Sequence, residues 1–351
     1  MQEQPSWFRR HWKLVVNVIT LLALASLVYA TRAQLSATLK HLGDVNYWVV
    51  LLLLPIEFLN YHAQARLYQR LFGIVGNKLS YWYLFRASLE LNFVNHVFPS
   101  GGVTGLSYFS LRLREGEKLT GAKATLVHIM KIGLMFLSFE LMLLFGVVCL
   151  TAENQVNNLV LLTAGSLATL VLLGTLGFMY MLERKSRIHG FFTFLTRALN
   201  RVIQLVRPKH PETINITKAR AAVDDLHDNY VQIRHSYKQL KTPFWYSLLC
   251  NVTEVAAVYV IFVAFGHWVN LGAIILAYAV ANFAGLISIL PGGVGIYEAL
   301  MTTVLATAGV PAGVSLPIII FYRLANTLVQ VPAGYYLYLQ TLRQTGKPAK
   351  A

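Results

Sequence analysis

Charge is scarce in this chain, and acidic charge scarcest: of 351 residues 13% are charged, with 15 Asp and Glu against 30 Lys and Arg, while 56% are hydrophobic. So apolar a composition excludes a disordered chain and an ordinary soluble domain, because several apolar runs approach the roughly 20 residues that cross a bilayer. Cysteine is nearly absent. Cys149 and Cys250 both lie in apolar runs and provide neither a disulfide framework nor a metal-ligand spacing. The chain also lacks a nucleophile elbow, a Walker phosphate loop and a His-Glu zinc helix. The expectation is a protein that is not an enzyme, takes no cofactor or metal and is not an ATP-driven pump. The basic excess does not point to nucleic acid, since cytoplasmic loops of membrane proteins are basic and face anionic lipid.

What is present is a set of apolar runs at 13–31, 46–62, 80–98, 123–150, 157–182, 243–266, 270–290 and 313–340. They predict an all-α, polytopic integral membrane protein of about eight spans, organised as one transmembrane domain over 1–351. The first run follows Arg9, Arg10 and Lys13 without a small-residue cleavage site, so it reads as a retained anchor. The Lys and Arg bias orients the chain. Basic segments around Arg66, Arg70 and Lys78, around Arg112, Arg114 and Lys118, over 183–242, and at Arg343 and Lys347 are expected inside, with both termini cytoplasmic. Residues 183–242 interleave Arg184, Lys185, Arg187 and Arg197 with Phe191, Phe192 and Phe194, a pattern suited to lying on an anionic lipid surface.

Two breaks interrupt this pattern, Pro99-Ser100-Gly101-Gly102 and Pro291-Gly292-Gly293-Val294-Gly295, one in each half. Pro and Gly runs are tolerated in hydrocarbon only where the freed backbone meets protein or a water-lined cavity. To keep every other basic loop inside, residues 80–111 must form a broken or re-entrant hairpin entered from the cytoplasm, and 270–309 a second one entered from outside. That is the arrangement of an inverted repeat, with two irregular tips turned toward a shared site near the midplane.

Polar residues within the apolar runs are the candidate site. An ionisable group in a span costs a few kcal/mol unless paired or hydrated. Asn92, Asn95 and His96 precede the first break and fall within one helix face at spacings of three and four. Asn282 precedes the second break and Glu298 follows it. The turn residues Ser100, Gly101, Gly102, Gly292, Gly293 and Gly295 lie where helix N-termini offer unpaired N–H groups to a phosphate. Arg323 and Asn326 lie one turn apart in the last span, and a guanidinium binds phosphate in bidentate fashion. Two plainer roles stay open, Glu298 stabilising its own helix start and Arg323 serving as its counter-ion. Glu57, Glu90, Lys131, Glu140 and Glu254 are secondary candidates.

At Pro291-Gly292-Gly293-Val294-Gly295-Ile296-Tyr297-Glu298 the chain resembles the flippase-like family related to the transmembrane region of lysylphosphatidylglycerol synthases. The resemblance extends to Tyr322-Arg323 and to Asn95 and the Pro99 to Gly105 stretch, and covers roughly 15–340. Relatives place an acidic residue and an arginine shortly after the early Pro and Gly, where this chain has Gly105-Leu106-Ser107-Tyr108. The resemblance implies a flippase of the bacterial inner membrane, moving a phospholipid or a polyprenyl-linked lipid between leaflets. The alternative is a membrane enzyme or accessory scaffold of lipid-linked glycan synthesis, with Asp224, Asp225 and Asp228 as its donor-binding acids. Homo-oligomeric assembly stays open at this level.

Overall fold

A computed structural model describes residues 43, 45–97, 103–117, 119–153, 158–187, 190, 237–287 and 295–345. The expected span at 13–31, most of the basic stretch 183–242 and the central residues of both glycine breaks lie outside the described residues. Among those described, the regular elements are all helical. They are α1 (Tyr47–Val50), α2 (Leu53–Ile74), α3 (Tyr81–Val97), α4 (Val103–Glu117), α5 (Gly121–Ala152), α6 (Asn158–Leu182), α7 (Lys241–Ala264), α8 (Leu271–Ile287), α9 (Ile296–Thr307) and α10 (Ala312–Thr345).

Segments of α5, α6, α7 and α10 are long and apolar enough to cross a membrane, at Lys123–Ala152, Asn158–Gly177, Lys238–Ala264 and Ala312–Arg343. Their outer faces agree. On α6, Leu159, Leu162 and Leu173 are exposed, a surface that water would not tolerate and hydrocarbon solvates. The molecule is an all-helical, multi-pass membrane protein.

The expected span at 46–62 differs in its bounds. The chain turns at residues 51–52, and α2 then runs twelve residues past 62, to Ile74. Arg66 and Arg70, expected in a loop, therefore lie on this helix. Ala63, Ala65, Leu67, Tyr68, Leu71 and Phe72 are buried around and between them, so tertiary packing continues the helix where the added charge suggests its end.

Two cores form. One joins the start of α2, the second half of α5, α6, α7, α8, α9 and the first half of α10, and the other joins α2, α3, α4 and the first half of α5. A third, smaller cluster joins the end of α3 to the second half of α10 through Phe93, Val97 and Tyr338. With 32 residues, α5 is about 48 Å long, enough to serve both main cores. Small residues let the helices touch. A side chain at Gly272 of α8 would collide with the Gly146 carbonyl of α5, and one at Gly334 of α10 would meet Phe93 Cβ at 2.5 Å and Leu89 O at 2.7 Å on α3. Asn270 fixes the α8 start by donating to Cys149 O at 3.1 Å and accepting from Gly272 N at 2.7 Å. Pro317 and Pro332 lie within the 34-residue α10.

Candidate functional site

The start of α9 is built around one carboxylate. Gly295 has φ +88°, a backbone shape that side chains resist, and its N–H donates to Glu298 Oε2 at 2.7 Å. The bond satisfies a helix-start donor, and the negative charge lies at the positive end of the helix dipole. The other oxygen, Oε1, accepts from Arg323 Nη1 at 2.5 Å, and the guanidinium carbon lies 4.9 Å from the centre of the Tyr297 ring. Glu298 thus fills both plainer roles, helix-start acid and counter-ion of Arg323. The pair joins α9 to α10, and His96 at the end of α3 lies within electrostatic range of Arg323.

From Arg323 a polar stripe continues along α10 at Asn326 and Gln330, positions i, i+3 and i+7 of one face. Both amides are buried, whereas Leu328 between them is 73% exposed and Tyr336 beyond them 68%. This helix is inside-out, with its polar face inward. Asn326 Nδ2 donates to Tyr322 Oη at 3.4 Å. Gln330 is the junction: its Nε2 donates to Asn326 Oδ1 at 3.1 Å and to Glu57 Oε2 at 2.9 Å, and its Oε1 accepts from Asn92 Nδ2 at 2.6 Å. Asn92 also donates to Tyr61 Oη on α2. Further along, Thr341 donates to Glu90 Oε1 at 2.9 Å. Residues 323 to 341 cover about 27 Å of helix, so α10 meets three buried carboxylates through nearly the depth of a hydrocarbon core.

A second network starts from the same polar face of α2. Lys131 Nζ of α5 donates to Gln64 Oε1 at 2.9 Å, and Gln64 Nε2 donates to Asn60 Oδ1 at 2.6 Å. Asn60 Nδ2 lies 3.3 Å from Glu254 Oε1 on α7 and 2.9 Å from Thr253 Oγ1, and Tyr278 of α8 donates to Glu254 Oε2 at 3.0 Å. Lys131 also stands 5.1 Å over the ring of Tyr68, whose hydroxyl is 2.7 Å from His128 Nδ1.

Of the sequence-predicted residues, the structure brings Glu298, Arg323 and Asn326 into one line, with Asn92 and Glu57 joined to it through Gln330. Lys131 and Glu254 belong to the second network. Asn92 and Asn95 do not converge: Asn92 faces α2 and α10, while Asn95 packs so closely on Gly105 of α4 that any side chain there would collide with its amide. Three residues turn a helix by about 300°, which leaves enough angle between the two to reach different neighbours. His96 Nδ1 lies 3.0 Å from the Asn92 carbonyl of its own helix, and Asn282 donates back to Tyr278 O at 2.9 Å. Glu90 is engaged structurally. It accepts from Tyr108 Oη at 2.6 Å and from Arg112 Nε at 3.1 Å as well as from Thr341, tying α3 to α4 and α10. Glu140 is half-buried, and its Oε2 has no hydrogen-bond partner. Ser100, Gly101, Gly102, Gly292 and Gly293 lie outside the described residues. Among the described residues no group of three His, Cys, Asp or Glu is placed to hold a metal.

Sequence reasoning missed Asn60, Tyr61, Gln64 and Gln330. Their signal is visible in retrospect: Glu57, Asn60, Tyr61 and Gln64 recur at i, i+3, i+4 and i+7, one polar face of an otherwise apolar helix.

Comparison with known proteins places the chain in a family. Residues 14–334 match the model described as the lysylphosphatidylglycerol synthase TM region. Two relatives, both described as UPF0104 membrane protein and both from Methanothermobacter thermautotrophicus, are similar over shorter stretches. One is 34% identical over 82 residues and the other 35% identical over 80, each stretch being 23% of this chain. The chain spans about a quarter of the length of these relatives, 25% and 24%. The chain belongs to the lysylphosphatidylglycerol synthase TM-region family.

Proposed function

We propose that this member of the lysylphosphatidylglycerol synthase TM-region family moves the anionic head group of a phospholipid or lipid-linked precursor between the leaflets of the bacterial inner membrane. The observation that carries the reading is Arg323, a guanidinium set among apolar helices, held by one carboxylate and heading a polar stripe that faces inward. An arginine in a span needs an anion. Glu298 supplies it at rest, and a lipid phosphate, which the guanidinium grips through two N–H groups, replaces it during passage. Asn326 and Gln330 offer amide donors further along the same face. The tails stay in the bilayer against the apolar outside of α10. They also have room in an apolar cavity of about 750 Å³ between α5, α7 and α8, lined by residues such as Phe145, Val148, Val252 and Ile275.

In this reading the protein transports and does not catalyse. Its two glycine breaks are the tips of an inverted pair of hairpins, 80–111 and 270–309. Support comes from the packing of α3 on α4 and of α8 on α9, and from the electrostatic reach of His96, beside the first break, to Arg323. The Lys and Arg excess at both ends of the chain argues for cytoplasmic termini.

The test is movement of a labelled anionic phospholipid in proteoliposomes. Wild-type protein should exchange it between leaflets, Arg323→Ala should fall to the protein-free rate, and Arg323→Lys should retain the ion pair but move lipid more slowly. A monodisperse Arg323→Ala protein with native exchange refutes the assignment.

A further inference from the structure

The buried networks contain three ionisable side chains that do not pair off. Glu90 has Arg112 and Glu298 has Arg323, so those charges cancel locally. Between them lie Glu57, Glu254 and Lys131, two acids and one base. The hydrogen bonds decide which acid belongs to the lysine. From Lys131 the links donate in one direction, ammonium to Gln64 and Gln64 to Asn60, whose Nδ2 shares its two N–H groups among Thr253 Oγ1 at 2.9 Å, Cys250 O at 3.1 Å and Glu254 Oε1 at 3.3 Å, and Tyr278 donates to the second oxygen of Glu254. Two aligned amides thus connect a cation at one end to an anion at the other, and Glu254 is the counter-ion of Lys131.

Glu57 stands outside that relay. It is 3% exposed and accepts from Gln330, a neutral amide. The titratable groups that face it are Tyr61 on its own helix and Glu254 on α7, with Cys250 and Lys131 next to Glu254 in turn. From the other side comes Tyr322 on α10, around which lie Arg323 on the same helix, Tyr297 on α9 and Tyr278 on α8, while Gln330, which bonds Glu57, also accepts from Asn92 of α3. Of the two cations, Lys131 is connected to Glu254 and Arg323 is bonded to Glu298. A second carboxylate beside Glu254 would therefore be an unbalanced charge of like sign in a low-dielectric interior, the state such sites avoid.

We infer that Glu57 is a proton-binding site: its carboxyl holds one proton taken from solvent, so that Glu57, Glu254 and Lys131 together carry no net charge. The proton sits at the Gln330 junction, where one amide bonds both Glu57 and Asn326, so its arrival or departure changes the charge beside the polar stripe by one unit. This residence follows from the charge count and the direction of the bonds, whatever the stripe carries.

Infrared spectroscopy of the full chain in lipid nanodiscs reads protonated carboxyl groups directly and involves no lipid movement, so it stands or falls apart from the transport assay. The measurements use a Glu140→Gln background to remove the half-buried carboxyl on α5. At neutral pH the background protein should show one buried protonated carboxyl. Adding Glu57→Gln should abolish that band. Adding Lys131→Met should about double it, because Glu254 loses its cation and takes a proton as well. A background protein without the band, a band unchanged by Glu57→Gln, or a folded Lys131→Met protein without the gain overturns the inference. The first of these needs no variant at either acid, so a Glu57→Gln protein that fails to fold still leaves the inference testable.

Discussion

Cutting the Arg323–Glu298 pair from one side should cost more than removing it whole. In Arg323→Ala the Glu298 side chain, 4% exposed, keeps the Gly295 N–H at 2.7 Å but loses its cation. A buried carboxylate left without its partner destabilises by about 3–5 kcal/mol. Glu298→Gln leaves the cation instead. The Arg323 side chain is 20% exposed and stacks on Tyr297, so water and the ring moderate the loss, and about 2 kcal/mol is expected. The double variant Arg323→Ala/Glu298→Gln leaves no charge at either position, and the amide oxygen at 298 can still accept from the Gly295 N–H. It should lie within about 1–2 kcal/mol of the wild type, since replacing both members of a buried pair spares the cost of a lone charge. The coupling energy from the four proteins should therefore be several kcal/mol. Equilibrium unfolding in mixed micelles measures it. Proteoliposome exchange on the same four proteins separates stability from function: the double variant should fold well and move no lipid. Additive losses, with the double variant as unstable as the two singles combined, would show that the pair does not hold α9 to α10 and refute the reasoning.

Three further outcomes are expected. Among Gly→Ala substitutions, Gly272 and Gly334 should each lose at least about 1–3 kcal/mol in the same unfolding assay, because the added methyl meets backbone, whereas at Gly105 it meets an Asn95 side chain that can rotate away and the loss should be smaller. Cysteines at Ser100 and Gly293 should be joined by a short bifunctional reagent, as hairpin tips that meet require; separation by more than about 25 Å, on the scale of the bilayer core, removes the inverted-repeat reading. Reporter fusions after Arg343 and near Pro208 should both report the cytoplasm, and periplasmic activity at either site reverses the orientation.

The membrane class and the long apolar helices were legible in the sequence because hydrocarbon thickness sets a length that composition reveals. Glu298 and Arg323 were legible for a related reason: a charge in a span is conspicuous where charge is rare. Their partners were not. Asn60, Gln64 and Gln330 are neutral amides, inconspicuous in composition, and only their repeat at helical spacing marks the face they share. Nor could the apolar residues say which face was inside. In a soluble helix burial and hydrophobicity coincide, but in α10 the exposed Leu328 and the buried Ile319 are equally apolar, since lipid and core solvate both. The continuation of α2 past residue 62 was hidden by the same logic reversed, with Arg66 and Arg70 marking a loop by composition while the side chains between them packed a core.

The prolines of α10 acquire a mechanical meaning from where they fall. Each deletes one backbone hydrogen bond and pushes its ring against the carbonyl four residues earlier, so Pro317 and Pro332 are two compliant joints in an otherwise stiff rod. Arg323, Asn326 and Gln330 all lie between them, on a link of about 22 Å. Outside the joints the rod is anchored, by Val314 packed on the first core ahead of the first joint and by Gly334 against α3 just past the second. Torque applied to the link, for instance by opening the grip of Arg323 on Glu298, is absorbed at the joints and does not have to be transmitted to either anchored end.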